Sequence, residues 1–423
     1  MLTELNPVAA ASPPARAAPT LVYVIPRFPV GSETFILREI EALRRHGVRT
    51  VVFALHRAGS PPSGSAVHCG RDWSPAATAS ALGWHLVRHP GRTLTALLGL
   101  PGCWRRPVYG LNAVLCALKT LPLARSLVGT RVALVHAHFA NIPAEVAFFL
   151  GLLLPSRVTF SVHARDVFVA PARLAQKCRS ADVVFACSRS AAERVRSLTG
   201  ATNVEVVHHG LDFSDPTWDE VYAYRRRFPE QREARGRPLR LLGVGRFVRK
   251  KGFHVLIEAL AVLRREGVCF DCLLVGGGPE RPSLQARVDR LQLGEQVRLA
   301  DFMPEILRSP QWRDCDLLVH PSVIAEDADR DGIPNVILEA FACGVPVLAS
   351  DLDSIREVID PGRTGFLAPA GQPRELAAAI VDALGSAEQI REITANARGE
   401  VRSRFDADRN VLEMLQRWHV AAR

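Results

Sequence analysis

Residues 240–278 read RLLGVGRFVRKKGFHVLIEALAVLRREGVCFDCLLVGGG, and the order of patterns in this stretch decides the fold. Arg240–Val244 is a short β-rich run. A glycine- and cation-rich loop follows, Gly243-Val-Gly245-Arg246-Phe-Val-Arg249-Lys250-Lys251-Gly252. Phe253–Arg265 then places apolar residues at helical spacing, and Cys269–Val275 is again β-rich before Gly276-Gly277-Gly278. Strand, helix and strand in that order make a crossover between parallel strands.

The same alternation extends in both directions. Upstream, strands are expected at Leu21–Ile25, Thr50–Ala54, Ala133–Ala137, Arg157–Val162, Val183–Ala186 and Val204–Val207, with helices at Ser32–Arg45 and Ala191–Leu198. Downstream, strands are expected at Val297–Ala300, Leu317–Val319 and Val345–Ala349, with helices at Arg281–Leu291, Pro334–Ala342 and Arg374–Leu384. The chain of 423 residues is long enough for two such α/β domains. The expected division is a tail over 1–20, domains over 21–212 and 213–404, and a C-terminal helix over 405–423 crossing back to the first domain. Two parallel-sheet domains facing across a cleft place their strand-end loops in that cleft, where ligands bind.

Composition narrows the class. Hydrophobic residues make up 48 % and charged residues 23 %, as in ordinary globular proteins. No run approaches the ~18 apolar residues of a membrane span, and the start lacks signal-peptide features, so a cytoplasmic chain is expected. The nine cysteines are scattered, which fits reduced thiols. Cys269-Phe-Asp-Cys272 lies in a strand, where positions three apart point to opposite faces, and is not read as a metal site. The net charge of +10 comes wholly from the first half: residues 1–212 carry +12, the remainder −2. Residues 73–144 contain no acid, and hold Arg88, Arg92, Arg105, Arg106, Lys119, Arg125 and Arg131 among Leu, Trp and Val. That mixture suits peripheral contact with an anionic membrane, here the inner face of the plasma membrane; core-facing helices with solvated arginines are the alternative. With no recognised motif, no nucleic-acid partner is expected.

The strand-end loops carry the chemistry. In the Gly243–Gly252 loop, glycines let the backbone approach a ligand, while Arg246 and Lys251 offer two cations to a diphosphate. Val248 occupies the third glycine place of a dinucleotide fingerprint, and no Walker A lysine-serine pair follows. In Asp331-Gly332-Ile333-Pro334-Asn335-Val-Ile-Leu-Glu339-Ala-Phe-Ala-Cys-Gly344, Pro334 is expected as the first helical residue and Gly344 as the stop. The helix start can hold phosphate oxygens, and Asp331 and Glu339 can accept hydrogen bonds from sugar hydroxyls. Glu339 sits among apolar residues, where a carboxylate needs a partner.

In the first half, His163-Ala-Arg165-Asp166 follows a strand and is positioned for a sugar or a phosphate oxygen. His136-Ala-His138 also ends a strand. Both rings share one face, but with no third ligand in view zinc is set aside in favour of hydrogen bonding beside an acceptor. His208-His209-Gly210 marks the interdomain join. Gly31-Ser32-Glu33-Thr34 is the loop after the first strand, and Gly277 lies in another strand-end loop that lines the donor pocket.

In sequence order these pieces resemble family 4 of the retaining glycosyltransferases, which have the GT-B fold. The matching text is GVGRFVRKKGF, LLVGGGPE, LLVHPS, DGIPNVILEAFACGVPVLASD and GFLAP, while FPVGSETFILREIEALRRHG, HAHFA and VHARDVF resemble the branch that assembles exopolysaccharides such as colanic acid. The resemblance implies two Rossmann-like domains, the first for the acceptor and the second for a nucleotide-diphosphate sugar. UDP-sugars are preferred over GDP-sugars in this reading, and the acceptor is lipid-linked or an oligosaccharide. It also implies roles. Arg246 and Lys251 hold the diphosphate and Glu339 the ribose. Asp331 contacts the donor sugar, His163 sits beside it, and Phe302 and Met303 cover the base. Asp331 departs from the family's glutamate by one methylene. No cofactor or metal is called for, since the cations and the helix start can stabilise the leaving diphosphate. A GT-B sugar-nucleotide epimerase and a degenerate sugar-nucleotide-binding scaffold are the competing readings.

Overall fold

The computed structural model describes residues 20–31, 33–59, 66–70, 72, 74–99, 107–169, 173–226, 237–301, 310–383 and 385–420. Seven strands form the first sheet: β1 (Thr20–Phe28), β2 (Arg49–Arg57), β3 (Ala66–Cys69), β4 (Val132–His138), β5 (Arg157–Val162), β6 (Val183–Ala186) and β7 (Val204–Val206). Six form the second: β8 (Leu239–Val244), β9 (Phe270–Val275), β10 (Val297–Ala300), β11 (Leu317–His320), β12 (Val347–Ser350) and β13 (Phe366–Ala368). The orders are β3-β2-β1-β4-β5-β6-β7 and β10-β9-β8-β11-β12-β13. All pairings between these strands are parallel. Each order reverses once, between β1 and β4 and between β8 and β11, so the loops after β1 and β8 open at the two switch points.

The period-two alternation of the strands decides the core. In the first sheet Val22, Val24, Phe53 and Val135 face one hydrophobic layer, and Leu21, Tyr23, Ile25 and Leu134 the other. In the second, Leu242, Val244, Leu318 and Ala349 oppose Leu241, Leu317, Val319 and Leu348. Burial on both faces is what helices on either side of a parallel sheet require.

The strands β3 and β13, edge strands of four and three residues, are absent from the sequence reading. Strand β12 starts at Val347, two residues later than expected. The Val345 N–H closes the preceding helix on the Ala340 carbonyl at 2.9 Å, and Pro346 has no N–H to give. Pro334 is also corrected: with ψ of 124° it is the extended N-cap residue, and Asn335 opens the helix Asn335–Cys343, which stops at Gly344 with φ of 70°.

The final helix, Ala407–Arg417, buries Val411, Met414 and Leu415 in the layer of Leu21 and Tyr23 on the first sheet. Its entry is fixed where Leu211 N–H donates to the Phe405 carbonyl at 2.7 Å and Ala407 N–H to the Leu211 carbonyl at 2.9 Å. Gly210 permits this approach, since a Cβ there would lie 2.4 Å from the Ala407 nitrogen. Among the described residues, no helix is long and apolar enough to cross a membrane.

Candidate functional site

The loop after β8 turns through a short 3-10 helix, Arg249–Lys251, and ends at Gly252 with φ of 65°. A Cβ at Gly252 would sit 1.8 Å from the Pro321 carbonyl oxygen, so only glycine lets this loop press against the loop after β11. That contact brings Lys251 to Asp331. Lys251 Nζ lies 2.8 Å from Asp331 Oδ2, which also accepts from Ser322 Oγ at 2.6 Å and lies 3.1 Å from His320 Nε2. Lys250 reaches Asp329 at 3.0 Å and Asp331 Oδ1 only at 3.8 Å. Burial would raise the Asp331 carboxyl, but Lys251, His320 and Lys250 outweigh it and hold it well below the carboxylate range. Asp331 is thus a buried, charged anchor rather than a solvated surface acid.

Around this anchor the other residues of the second domain take their places. Gly245 lies against the Lys251 stem, with a Cβ there 3.5 Å from Lys251 Cδ, and the exposed Gly277 accepts the Phe247 N–H at 2.8 Å. Gly332, Ile333, Pro334 and Asn335 follow Asp331 into the helix start, which no side chain caps. Arg246 is exposed. Glu339, one turn further along the helix, accepts from Arg38 Nη2 of the first domain at 2.8 Å. Phe302 and Met303 lie outside the described residues.

The first domain presents a bank of rings opposite. His163 caps the short helix Ala164–Phe168, and its backbone N–H donates to Asp166 Oδ2 at 3.0 Å. Its ring lies 4.2 Å from that of Phe139 and stacks on His209 at 5.2 Å. Burial, then His209, His138 and His136, keep His163 neutral, well below the ordinary histidine value. His138 is buried, 3.4 Å from His163 and 3.4 Å from Glu39, which takes the Tyr23 hydroxyl at 2.6 Å. Burial pushes Asp166 up to about 6. Glu33 is raised by burial, against the pull of His138, Arg246 and Arg27, so the Arg246 charge is felt across the cleft. Gly31 is exposed in the same loop. Arg165 reaches Asp329 at 3.4 Å, and Glu357 accepts the Arg189 and Ser190 N–H groups at 2.7 and 2.9 Å.

The structure therefore gathers Lys251 and Asp331 in one cluster, and His138, His163, Asp166 and Glu33 on the facing wall. Arg38, His320, Ser322 and Cys187 escaped the sequence reading. His320 and Ser322 carried a signal, since they directly follow the strand Leu317–Val319. Arg38 and Cys187 carried none: a helix residue and a lone thiol gain meaning only from what faces them. His209, read as part of the interdomain join, also stacks among the cleft rings.

Comparison with known proteins accords with this geometry. The family model described as Glycosyltransferase Family 4 matches residues 29–215, and that described as Glycosyl transferases group 1 matches residues 238–386. The chain is 27 % identical over 414 residues to the putative colanic acid biosynthesis glycosyltransferase WcaL of Salmonella typhimurium, covering 92 % of this chain and 98 % of the relative. It is 33 % identical over 189 residues to the amylovoran biosynthesis glycosyltransferase AmsK of Erwinia amylovora, covering 44 % and 46 % of the two chains. Among solved structures it resembles Anabaena HepE in complex with UDP and glucose, with a TM-score of 0.65 at 19 % identity, covering 94 % and 98 %. That last likeness speaks to the fold alone. With family models matched along both halves and a relative aligned along nearly its whole length, the chain carries a glycosyltransferase family 4 domain followed by a glycosyl transferases group 1 domain and has the GT-B fold.

Proposed function

We propose that this glycosyltransferase moves a sugar, with retention at the anomeric carbon, from a nucleotide-diphosphate donor to a lipid-linked or polysaccharide acceptor in exopolysaccharide assembly. The donor lies against the 213–404 domain and the acceptor against the 21–212 domain, with 405–423 tying the two. The observation that carries the reading is the Lys251–Asp331 pair: segments 80 residues apart meet at the switch point of the second sheet, beside Asp329, which Arg165 of the first domain reaches at 3.4 Å. The relatives named for colanic acid and amylovoran synthesis support the pathway class.

In this reading Lys251, Arg246 and the uncapped helix start at Asn335 face the diphosphate, whose charge grows as the sugar–oxygen bond breaks. Cations already in place stabilise that charge as it grows. Glu339 takes the ribose hydroxyls. Asp331 anchors Lys251 through Oδ2 and turns Oδ1 toward the donor sugar. His163, neutral and packed between aromatic rings, offers a hydrogen bond without a competing charge. Glu33, His138, Arg165 and Asp166 shape the acceptor side. UDP is the nucleotide we favour for the donor, as HepE is seen with UDP.

A peripheral membrane contact belongs to the same proposal. The helices Pro75–Arg88 and Pro90–Gly99 leave Val87 80 %, Leu98 76 % and Leu94 51 % exposed, with Arg88 and Arg92 also exposed. Apolar side chains among solvated cations fit the interface of an anionic bilayer at the cytoplasmic face.

Thermal stabilisation by a panel of nucleotides tests the donor site, because binding to the folded state raises the melting temperature. A selective shift with UDP that shrinks in Lys251→Ala is expected. No shift with any nucleotide would return the chain to the scaffold reading. The anomeric configuration of the product, read by NMR, tests retention. Flotation with phosphatidylglycerol–phosphatidylcholine vesicles at low and high salt tests the membrane contact.

A further inference from the structure

Three adjacent parallel strands end side by side at the cleft. Val162 of β5 pairs with Ala186 of β6, and Ala186 with Val206 of β7. The residues just past those ends are His163, Cys187 and, three beyond β7, His209. Neighbouring strands lie about 4.8 Å apart, so the three side chains are delivered to one spot by the sheet itself. One ring nitrogen of each histidine and the cysteine sulfur all lie within 4.8 Å of one another.

We propose that His163, Cys187 and His209 form a site for a zinc-class divalent cation, with its open position facing the Asp331-Gly332 loop. Two imidazoles and a thiolate are a zinc-type donor set, and three protein ligands leave the fourth place for a solvent or substrate oxygen. Tetrahedral zinc with such ligands spaces them by about 3.5 Å, so closing around an ion asks for side-chain shifts of roughly an ångström.

Several features fit a ligand here. His209 Nε2 is buried without a hydrogen-bond partner, which costs free energy that a bound cation would recover. Cys187 is a free, buried thiol. Binding would transfer its proton to solvent and leave the thiolate on the ion. Gly332 of the opposite loop faces the site without a side chain of its own, and a Cβ built there would meet Cys187 Sγ at 3.7 Å, an ordinary contact.

The neighbouring trio Glu39, His136 and His138 is as compact and also holds an unpartnered nitrogen, His138 Nε2, but its other two members are engaged. His136 has Thr159 Oγ1 and Ser161 Oγ on its two nitrogens at 2.8 and 3.1 Å, and Glu39 holds the Tyr23 hydroxyl. A cation there would have to break bonds that are absent around His209 Nε2.

An ion at His163 would stand where the donor sugar is placed, so zinc is expected to inhibit transfer. That consequence rests on the proposed role of His163; the binding does not. The test is cobalt titration of the full chain, stripped of metal and kept reduced without thiol reagents. Expected is one equivalent of Co2+ giving a thiolate-to-metal absorption band in the near ultraviolet, displaced by Zn2+ and lost in Cys187→Ala and in His209→Phe. The same zinc concentration should inhibit the parent chain and spare Cys187→Ala. No band, or a band that survives Cys187→Ala with an unchanged melting temperature, would overturn the site. A band without zinc inhibition would keep the metal site and overturn the blocking role. UDP-induced stabilisation of Cys187→Ala, measured in parallel, reports on the donor site separately.

Discussion

Arg38 Nη2 donates to Glu339 Oε1 at 2.8 Å, joining helix Thr34–Arg45 of the first domain to helix Asn335–Cys343 of the second across 301 residues. The partners are only 15 % and 16 % exposed, and the guanidinium lies 5.8 Å from the Trp218 ring. The carboxylate proposed for the ribose is therefore held by the opposite domain, and nucleotide and Arg38 compete for it. A charged hydrogen bond of this kind is worth about 1 kcal/mol, or roughly fivefold in affinity. Arg38→Ala is expected to tighten UDP binding by about that factor in calorimetry. Unchanged or weaker binding would mean that Arg38 orients Glu339 for the ribose instead.

Removing one member of a buried ion pair strands the other. Asp331 is 6 % exposed and depends chiefly on Lys251 for its charge balance. Lys251→Ala and Asp331→Asn should each lower unfolding stability by about 3 kcal/mol, less where Lys250 and His320 compensate. Lys251→Ala should also lower transfer by at least about a hundredfold, the scale of one lost electrostatic contact to a developing anion. The double variant should lose less stability than the two single losses added. Urea unfolding of the four proteins checks this, and strict additivity would mean that the pair is not coupled.

Acid should unfold the chain through its buried imidazoles. Burial, then His138, holds both His136 and His209 at about 3, against an ordinary 6.5. The unfolded chain therefore binds these protons first. The stability they contribute is full above about 6.5 and is lost as pH falls toward 3, by roughly 1.4 kcal/mol per pH unit for each ring. Asp166, raised by burial from 3.8 to about 6, has the opposite sign: its contribution is full below 3.8 and is lost as pH rises to 6. It offsets one imidazole over that window. Below 4.5, Glu39 joins the loss: burial would raise it, but His138, His136 and Tyr23 hold it at about 2. Urea midpoints should drop between pH 7 and pH 5, and a flat profile would contradict the buried neutral rings.

Gly210→Ala probes the tie between the last helix and the first domain. The new Cβ meets the Ala407 backbone at 2.4 Å, so the Leu211–Asp406 bridge must open or shift. Overpacking of this sort costs about 1–3 kcal/mol. A lower thermal midpoint, with faster proteolysis after the Arg residues of the final helix, is the expected result. A midpoint equal to the parent's would show that the helix can move aside freely.

Much was legible in the chain alone because parallel strands buried on both faces are continuous apolar runs, and their periodicity is local. Arg157–Val162, Val183–Ala186, Val297–Ala300 and Phe253–Arg265 end in the structure where the pattern of residues ends them. The glycine loop after β8, the acidic helix start at Asp331 and the family text are likewise strings of neighbours, readable in order. Tertiary structure decided what depends on residues far apart. Asp331 and Lys251 became one buried pair because Gly252 admits the Pro321 carbonyl. Glu339 acquired Arg38 from the other domain. Three strand ends, meaningless singly, brought His163, Cys187 and His209 together. A side chain's type is set by sequence, but its charge state and partners follow from burial and distance, and those exist only once the two sheets face each other.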